Sequence, residues 1–536
     1  MTTLGRARSG MRFARGLSWI VRNPHTLEGA RETVADEVAR RSERFLTSID
    51  EMVWPFAGSP TRQLLIGAGL EPGDVHALVA DRGLDDALGA LRDAGVYVSY
   101  EEYQGRTDAR RGSATFSFQP PDFFNPTQKA DYMATTGGSR GAGTPVELSW
   151  AWQRYQGLKG PIQNEVNRGG SAPIAVWLPV FPSAAGFGAV VKQAAGGKAP
   201  VRWFSQIPTD ISGIPTHKQL VNRFLPALNA LTRSGLPSPE YVPTDDPEPV
   251  VRWLRDTVAA QGGALIVGYA SSITAAARWA VDRGIDLTGV VAMPASEPVT
   301  AGKLTAMRAA GMRPYSGYAF VPEGVVAMAC DRCEDEEYHL WDHEVALTSR
   351  TRTREDGAEV AAFLWTSLSP EAPRVLVNVE NDDYGVVRHG VECGCGYGQL
   401  GLRTRVADIR GISKVVAAGI SLDGETFDRL VEIALPARLG GGPGDYQFVE
   451  EEGRSGTVVS LRIHPRLGAV DDDAALALVR DELKATENGV LAARVWTAGD
   501  GLRVVRAPAA STKAGKTLSF ERIAAAAPTA VALEQI

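Results

Sequence analysis

The sequence predicts a large α/β domain followed by a small α+β domain. Three observations lead there. At 536 residues the chain exceeds what one hydrophobic core supports, so more than one folding unit is expected. Between about 130 and 325, β-rich runs such as "APIAVWLPV", "GALIVGYA" and "LTGVVAMPA" alternate with helical stretches such as "PVVRWLRDTVAAQG" and "ITAAARWAVDRG". That alternation is the pattern of a layered unit built on a largely parallel sheet. Beyond about 410 the pattern contracts to short helices and a hairpin with a core of their own.

Residues 1–110 read as a helical region, because "LEGARETVADEVARRSERFLTSIDEMV" places apolar residues three and four apart. The opening stretch "LGRARSGMRFARGLSWIVR" sets four arginines before a short apolar run, Leu17 to Val21. It is too short for a signal-peptide core and lacks a cleavage pattern. We read it as a cationic amphipathic helix that packs on its own protein, with a membrane-surface anchor as the alternative. No run approaches 18 uninterrupted apolar residues, so no membrane span is expected and the expected location is cytoplasmic. A net charge of −7 without a concentrated basic surface argues against nucleic acid as a partner.

Residues 111–410 are the α/β domain, and 411–536 the α+β domain. In the latter, "GETFDRLVEIAL" reads as a helix, "DYQFVEEEGRSGTVVSLRIHP" as a hairpin, "DAALALVRDELKATE" as a second helix and "AARVWTA" as a strand. The stretch "DYMATTGGSRGAGTPVELSW", Asp131 to Trp150, puts a Gly/Ser/Thr-rich loop with one arginine between two strand-like runs. Glycines there can turn backbone N–H groups inward with no Cβ to block a phosphate. The loop is neither a Walker A loop nor a dinucleotide fingerprint.

"TTGGSRGAGTPV" resembles the phosphate loop of the adenylate-forming superfamily of acyl-CoA synthetases and adenylation enzymes. Thr136, Gly137, Gly138, Ser139 and Gly141 fit it, and Arg140 stands where a hydroxyl residue is usual, supplying the missing cation. Further resemblances follow in the family's order. "PASEPVT", Pro294 to Thr300, resembles its Gly-Gly-Glu-Pro turn. "YSGYAFVPEG" resembles its aromatic-Gly-x-Thr-Glu segment, although Tyr318 lies one residue far from the glutamate and Pro322 takes the threonine position. "VLVNVENDDYGVV" resembles the segment ending in Gly-Asp-Leu-Gly, and "STKAGKTLSF" the segment carrying the family's lysine. "IRGISKVVAAGISL" resembles the hinge of phenylacetate-CoA-ligase-like enzymes, with Ile412 in place of an arginine and Lys414 in place of an aspartate.

The resemblance implies an AMP-forming ligase in which a carboxylate attacks the α-phosphate of ATP and the acyl-adenylate passes to a thiol. It implies that Thr136 to Gly141 cradle phosphates, that Glu323 binds Mg2+, that Asp383 holds the ribose and that Lys516 bridges carboxylate and phosphate. Arg410 is offered as a substitute for the lost hinge arginine, and the small domain as a mobile lid swinging about Lys414. The thiol is coenzyme A or a carrier protein, an amine acceptor and a homodimer being left open. "VWLPVFPSAAGFGAV", Val176 to Val190, is a candidate lining for an aryl or medium acyl pocket, and equally readable as core. The alternatives are an adenylating enzyme of specialised metabolism with a non-standard substrate, and a degenerate nucleotide-binding regulatory protein.

The four cysteines form two close pairs, "CDRC" at Cys330 and Cys333 and "CGC" at Cys393 and Cys395. In a reducing compartment such spacing favours zinc over disulfides, and four thiolates suit a closed structural site. A shared zinc is expected to clamp the base of a β-rich insert between the pairs. His339 and His343 are the alternative ligands, expected to pack or face solvent instead. Four buried free thiols are the competing reading.

Overall fold

The computed structural model describes residues 3–135, 145–180, 185–208, 234–244, 246–297, 299–320, 324–354, 358–412, 415–417, 420–422, 424–453, 456–484, 502–512 and 515–523. Two compact units divide the chain, Met1–Ile412 and Ser413–Ile536. Counts below refer to the described residues.

The first unit contains a parallel sheet of six strands: β1 (Ile174–Trp177), β2 (Arg202–Ser205), β3 (Pro239–Tyr241), β4 (Ala264–Tyr269), β5 (Val290–Ala295) and β6 (Arg313–Pro314). Their order is β6-β5-β4-β1-β2-β3, every neighbouring pair parallel. β1 lies inside this sheet, so both of its faces need apolar cover. Ala175 and Trp177 point to one core, shared with Val251 and Leu254 of the helix Glu248–Gln261 and with Ile273 and Ala277 of the helix Ala270–Asp282. Val176 and Leu178 point to the other, shared with Phe187 and Val190.

This arrangement corrects one expectation. Val176, Trp177, Leu178, Val180, Phe187 and Val190 are all buried in these two cores, so the described part of this stretch follows the core reading and not the pocket one, residues 181–184 lying outside the described residues. The N-terminal basic helix, α1 (Thr3–Arg22), puts Leu17 and Ile20 into the second core. Its fit is close: a Cβ on Gly16 would lie 2.1 Å from the Trp150 ring. α2 (Leu27–Ala39) begins where Thr26 accepts a hydrogen bond from the Gly29 N–H, a standard N-cap, and buries Ala30 and Val34.

A second, antiparallel sheet follows in the chain: β7 (Gly317–Phe320), β8 (Gly324–Met328), β9 (Glu337–Leu340), β10 (Val345–Thr353), β11 (Glu359–Ser367), β12 (Val379–Arg388) and β13 (Arg405–Gly411). The order is β7-β8-β9-β13-β12-β11-β10. The residues between the two cysteine pairs are therefore integral strands of a seven-stranded sheet and not an appended insert. Phe363, Trp365 and Val379 of this sheet share one core with Phe45, Leu64, Val75 and Leu88. The helices before residue 110 thus complete the first unit's core instead of forming their own.

The second unit is a mixed four-stranded sheet, with β14 (Tyr446–Gly453) and β15 (Gly456–Ile463) forming the expected hairpin. β16 (Leu502–Arg506) and β17 (Phe520–Ile523) add to its edges in parallel. The helix Asp472–Leu483 is capped by Asp471, and it buries Ala475, Val479 and Leu483 against Phe448 and Leu461. The expected strand "AARVWTA" lies outside the described residues. No helix among the described residues is long and apolar enough to cross a membrane.

Candidate functional site

Of the expected nucleotide-binding residues, Thr136 to Gly141, Glu323 and the hinge residue Lys414 lie outside the described residues. The flanks of the glycine-rich loop are described. Tyr132–Thr135 pairs antiparallel with Pro145–Leu148, Thr135 opposite Pro145, so the loop joins two paired strands.

The best-defined cluster joins two of the singled-out segments. Tyr318, on β7, donates its hydroxyl to Asp383 Oδ2 at 2.5 Å. The Asn381 amide donates to both, at 2.6 Å to the Tyr318 hydroxyl and 3.0 Å to Asp383 Oδ2. Tyr318 also stacks on Trp365, with ring centroids 5.9 Å apart. Burial, and then the Asp383 charge, hold the Tyr318 phenol well above its ordinary pKa, so it stays a neutral donor. Asp382, within the strand Val379–Arg388, has a left-handed φ of +71 just before Asp383, and its carbonyl accepts the Ile412 N–H at 2.7 Å. That bond fastens the last residue of the first unit to the strand that bears Asp383.

Arg410 sits beside this cluster by register, opposite Tyr384 on the neighbouring strand. Its guanidinium donates to Glu336 at 2.6 Å. In the second unit, Lys516 closes a tight turn. Its N–H donates to Thr512 Oγ1 at 3.1 Å, and its carbonyl accepts the Thr512 N–H at 2.7 Å. Lys516 is a buried lysine, 8% exposed.

The cysteines converge, and with them a histidine. The ligating atoms of Cys330, His339, Cys393 and Cys395 all lie within 4.8 Å of one another. His339 Nε2 stands 3.6 Å from Cys330 Sγ and 3.4 Å from Cys395 Sγ. Its Nδ1 lies 3.2 Å from the Leu402 carbonyl, which can only accept. Nδ1 must therefore carry the proton, leaving the Nε2 lone pair facing the sulfurs, as a metal ligand requires. Backbone N–H groups of Arg332 and Gly398 donate to Cys330 Sγ and Cys395 Sγ. Three soft sulfurs and one imidazole at this separation fit a closed tetrahedral zinc site.

The expectation for His339 is thus corrected. It neither merely packs nor faces solvent, because pairing of β9 with β8 sets it opposite Met328, two residues before Cys330. Cys333 Sγ lies 3.6 Å from Cys330 Sγ but is not one of the four mutually close donors. His343 is fully buried and leans on Tyr155 and Trp341.

One buried charge cluster escaped the sequence reading. The Lys159 ammonium donates to Glu344 Oε2 at 2.6 Å, Gln156 Oε1 at 2.6 Å and the Val325 carbonyl at 2.7 Å. The Gln156 amide donates to Glu344 Oε1 at 2.7 Å. The only signal for it is the run of Gln and Lys in "WAWQRYQGLKGPIQN", where a buried helical face would carry leucines.

No protein-family model and no curated protein matches the chain. Among solved structures, it is similar to 2-hydroxyisobutyryl-CoA ligase in complex with 2-HIB-AMP and CoA, at 14% identity over 92% of this chain and 90% of that one, with a TM-score of 0.43. ATP-bound MatB from Rhodopseudomonas palustris is 12% identical over 80% of this chain and 71% of that one, with a TM-score of 0.38. Acetoacetyl-CoA synthetase from Streptomyces lividans is 14% identical over 81% and 62%, with a TM-score of 0.41. At such values the functional assignment rests on the chain's own residues.

Proposed function

We propose that the chain is an ATP-dependent, AMP-forming ligase of the adenylate-forming type, which activates a carboxylic acid and transfers the acyl group to a thiol, coenzyme A or that of a carrier protein. The observation that supports it most is the Tyr318–Asn381–Asp383 cluster. Two segments singled out for nucleotide binding, more than sixty residues apart, meet there through side-chain hydrogen bonds. In this reading Asp383, oriented by the Tyr318 and Asn381 donors, is the carboxylate that meets the ribose hydroxyls. Thr136 to Gly141 and Arg140 take the phosphates, Glu323 takes Mg2+ and Lys516 meets the carboxylate and α-phosphate. Positioned charge of this kind stabilises the phosphate charge that grows as pyrophosphate leaves. Mg2+ would add neutralisation of the same charge.

The Cys330–His339–Cys393–Cys395 set is proposed as a structural zinc site. With all four positions taken by protein, it has no place for substrate, and its role is to hold the start of β9 to the loop that precedes β13.

The test is carboxylate-dependent pyrophosphate release by the wild type and by Asp383→Ala. The variant should lose about 10²-fold in kcat/KM for ATP, as when a charge-assisted contact is removed. Nucleotide binding without pyrophosphate release by any carboxylate would favour the regulatory reading.

A further inference from the structure

We propose that Cys333 is an oxidation site, a thiol that reacts with a hydroperoxide and then closes a disulfide on Cys330, so that the zinc clamp opens under oxidising conditions. The inference rests on the zinc reading and adds to it a means of release.

The donor cluster holds one sulfur more than a tetrahedral ion can take. Cys330, His339, Cys393 and Cys395 already supply four ligands. Cys333 is left over, its Sγ 3.6 Å from Cys330 Sγ and accepting the Cys330 N–H at 3.4 Å. The backbone holds the pair in a turn, because the Cys333 N–H donates to the Cys330 carbonyl at 3.1 Å. The ends of such a four-residue turn lie within about 7 Å at their Cα atoms, which is the reach of a disulfide. Closing the bond therefore needs side-chain rotation and little movement of the backbone.

A small reagent has a way in. Cys333 is half-buried, and together with Cys330 it lines a cavity of about 330 Å³ that Leu304, Met312, Pro314 and Tyr315 also wall. Cys395 and His339 are buried, whereas a partly exposed thiol outside the ligand set is free to react.

The chemistry runs in two steps. The Cys333 sulfur attacks the peroxide and the O–O bond breaks. One oxygen stays on sulfur as a sulfenic acid, and the other leaves with the thiol proton as an alcohol or water. The Cys330 sulfur then attacks the sulfenic sulfur, the S–O bond breaks, and the departing hydroxide is protonated to water. Together the two sulfurs lose the two electrons that the peroxide gains. Cys330 can then no longer act as a thiolate ligand, so the loop bearing Cys393 and Cys395 loses its tie to Cys330. A reducing compartment does not sustain a permanent disulfide here, but it suits a transient one.

The experiment treats the zinc-loaded full chain with hydrogen peroxide. Zinc release is followed with a chromogenic chelator, while differential alkylation and peptide mass spectrometry map the cysteines. In the wild type, zinc should leave in step with a Cys330–Cys333 disulfide, and dithiothreitol with added zinc should restore the starting metal content. Cys333→Ser and Cys333→Ala should each be purified with about one zinc per chain and release it at least about tenfold more slowly, since no sulfenic acid forms beside Cys330. Zinc retention by the wild type, equal release rates in wild type and variants, or a Cys393–Cys395 disulfide that forms first overturns the proposal and leaves the zinc site standing. Variants that fold but hold no zinc also overturn it, by making Cys333 a ligand. A wild type that neither contains zinc nor takes it up after reduction overturns the zinc reading and the proposal together.

Discussion

At the scale of single residues, the contacts of His339 decide which atoms would form the proposed zinc site. The Leu402 carbonyl fixes its proton on Nδ1, so Nε2 faces the sulfurs. His339→Ala should lose zinc and melt at lower temperature, whereas Cys333→Ser should retain close to one zinc per chain, because structural zinc contributes folding energy only through its actual ligands. Elemental analysis of both variants, purified without metal-affinity resin, checks this, and equal zinc loss in the two would return Cys333 to the ligand set. The cysteine pairs were legible in the sequence because their ligand spacing is local. His339 was legible only as an alternative ligand, because its place depends on the pairing of β9 with β8 and β13, which no local spacing encodes. The Lys516 side chain offers a second prediction at this scale. Lys516→Ala should lower acyl-adenylate formation by about 10²-fold or more while conversion of preformed acyl-AMP suffers less, since the lost charge acts in the first transition state. Rapid-quench measurement of the two half-reactions decides it, and an unchanged adenylation rate would remove Lys516 from the mechanism.

At the scale of elements, the alternation of strands and helices between 130 and 325 was readable because period 2 and period 3.6 differ within a few residues. The helix Glu248–Gln261 even ends on a left-handed Gly262, as its sequence suggests. The aromatic stretch at Val176 to Val190 was ambiguous for a physical reason: a central parallel strand is apolar on both faces, and so is an acyl pocket. Only the burial of Trp177 and Phe187 in opposite cores separates the two. Lys159 and Glu344 were invisible because the partners are 185 residues apart. They tie the helix Lys159–Val166 to the loop before β10, with side chains 4% and 1% exposed. Breaking such a pair strands a buried charge, so Glu344→Leu alone should destabilise the first unit by about 3–5 kcal/mol. Lys159→Met combined with Glu344→Leu should recover most of that loss. Urea unfolding of the single and double variants checks the pair, and additive losses would show that the two charges do not act together.

At the scale of the whole molecule, the chain has two compact units, and the junction falls between Ile412, bonded to Asp382, and Ser413. If the second unit alternates between two poses, one for each half-reaction, Lys414→Pro should slow one half-reaction at least about tenfold more than the other, since proline fixes φ and removes an N–H. Equal losses would indicate misfolding instead. On the proposed function, Tyr318, Asn381 and Asp383 serve a nucleotide cleaved between its α- and β-phosphates. Incubating the wild-type protein with ATP, Mg2+ and a panel of mono- and dicarboxylates, and resolving the nucleotide products, tests it most directly. AMP and pyrophosphate should form in equal amounts, dependent on the acid and strongly reduced in Asp383→Ala. Production of ADP and phosphate, or no acid-dependent cleavage by a protein that binds ATP, would contradict it.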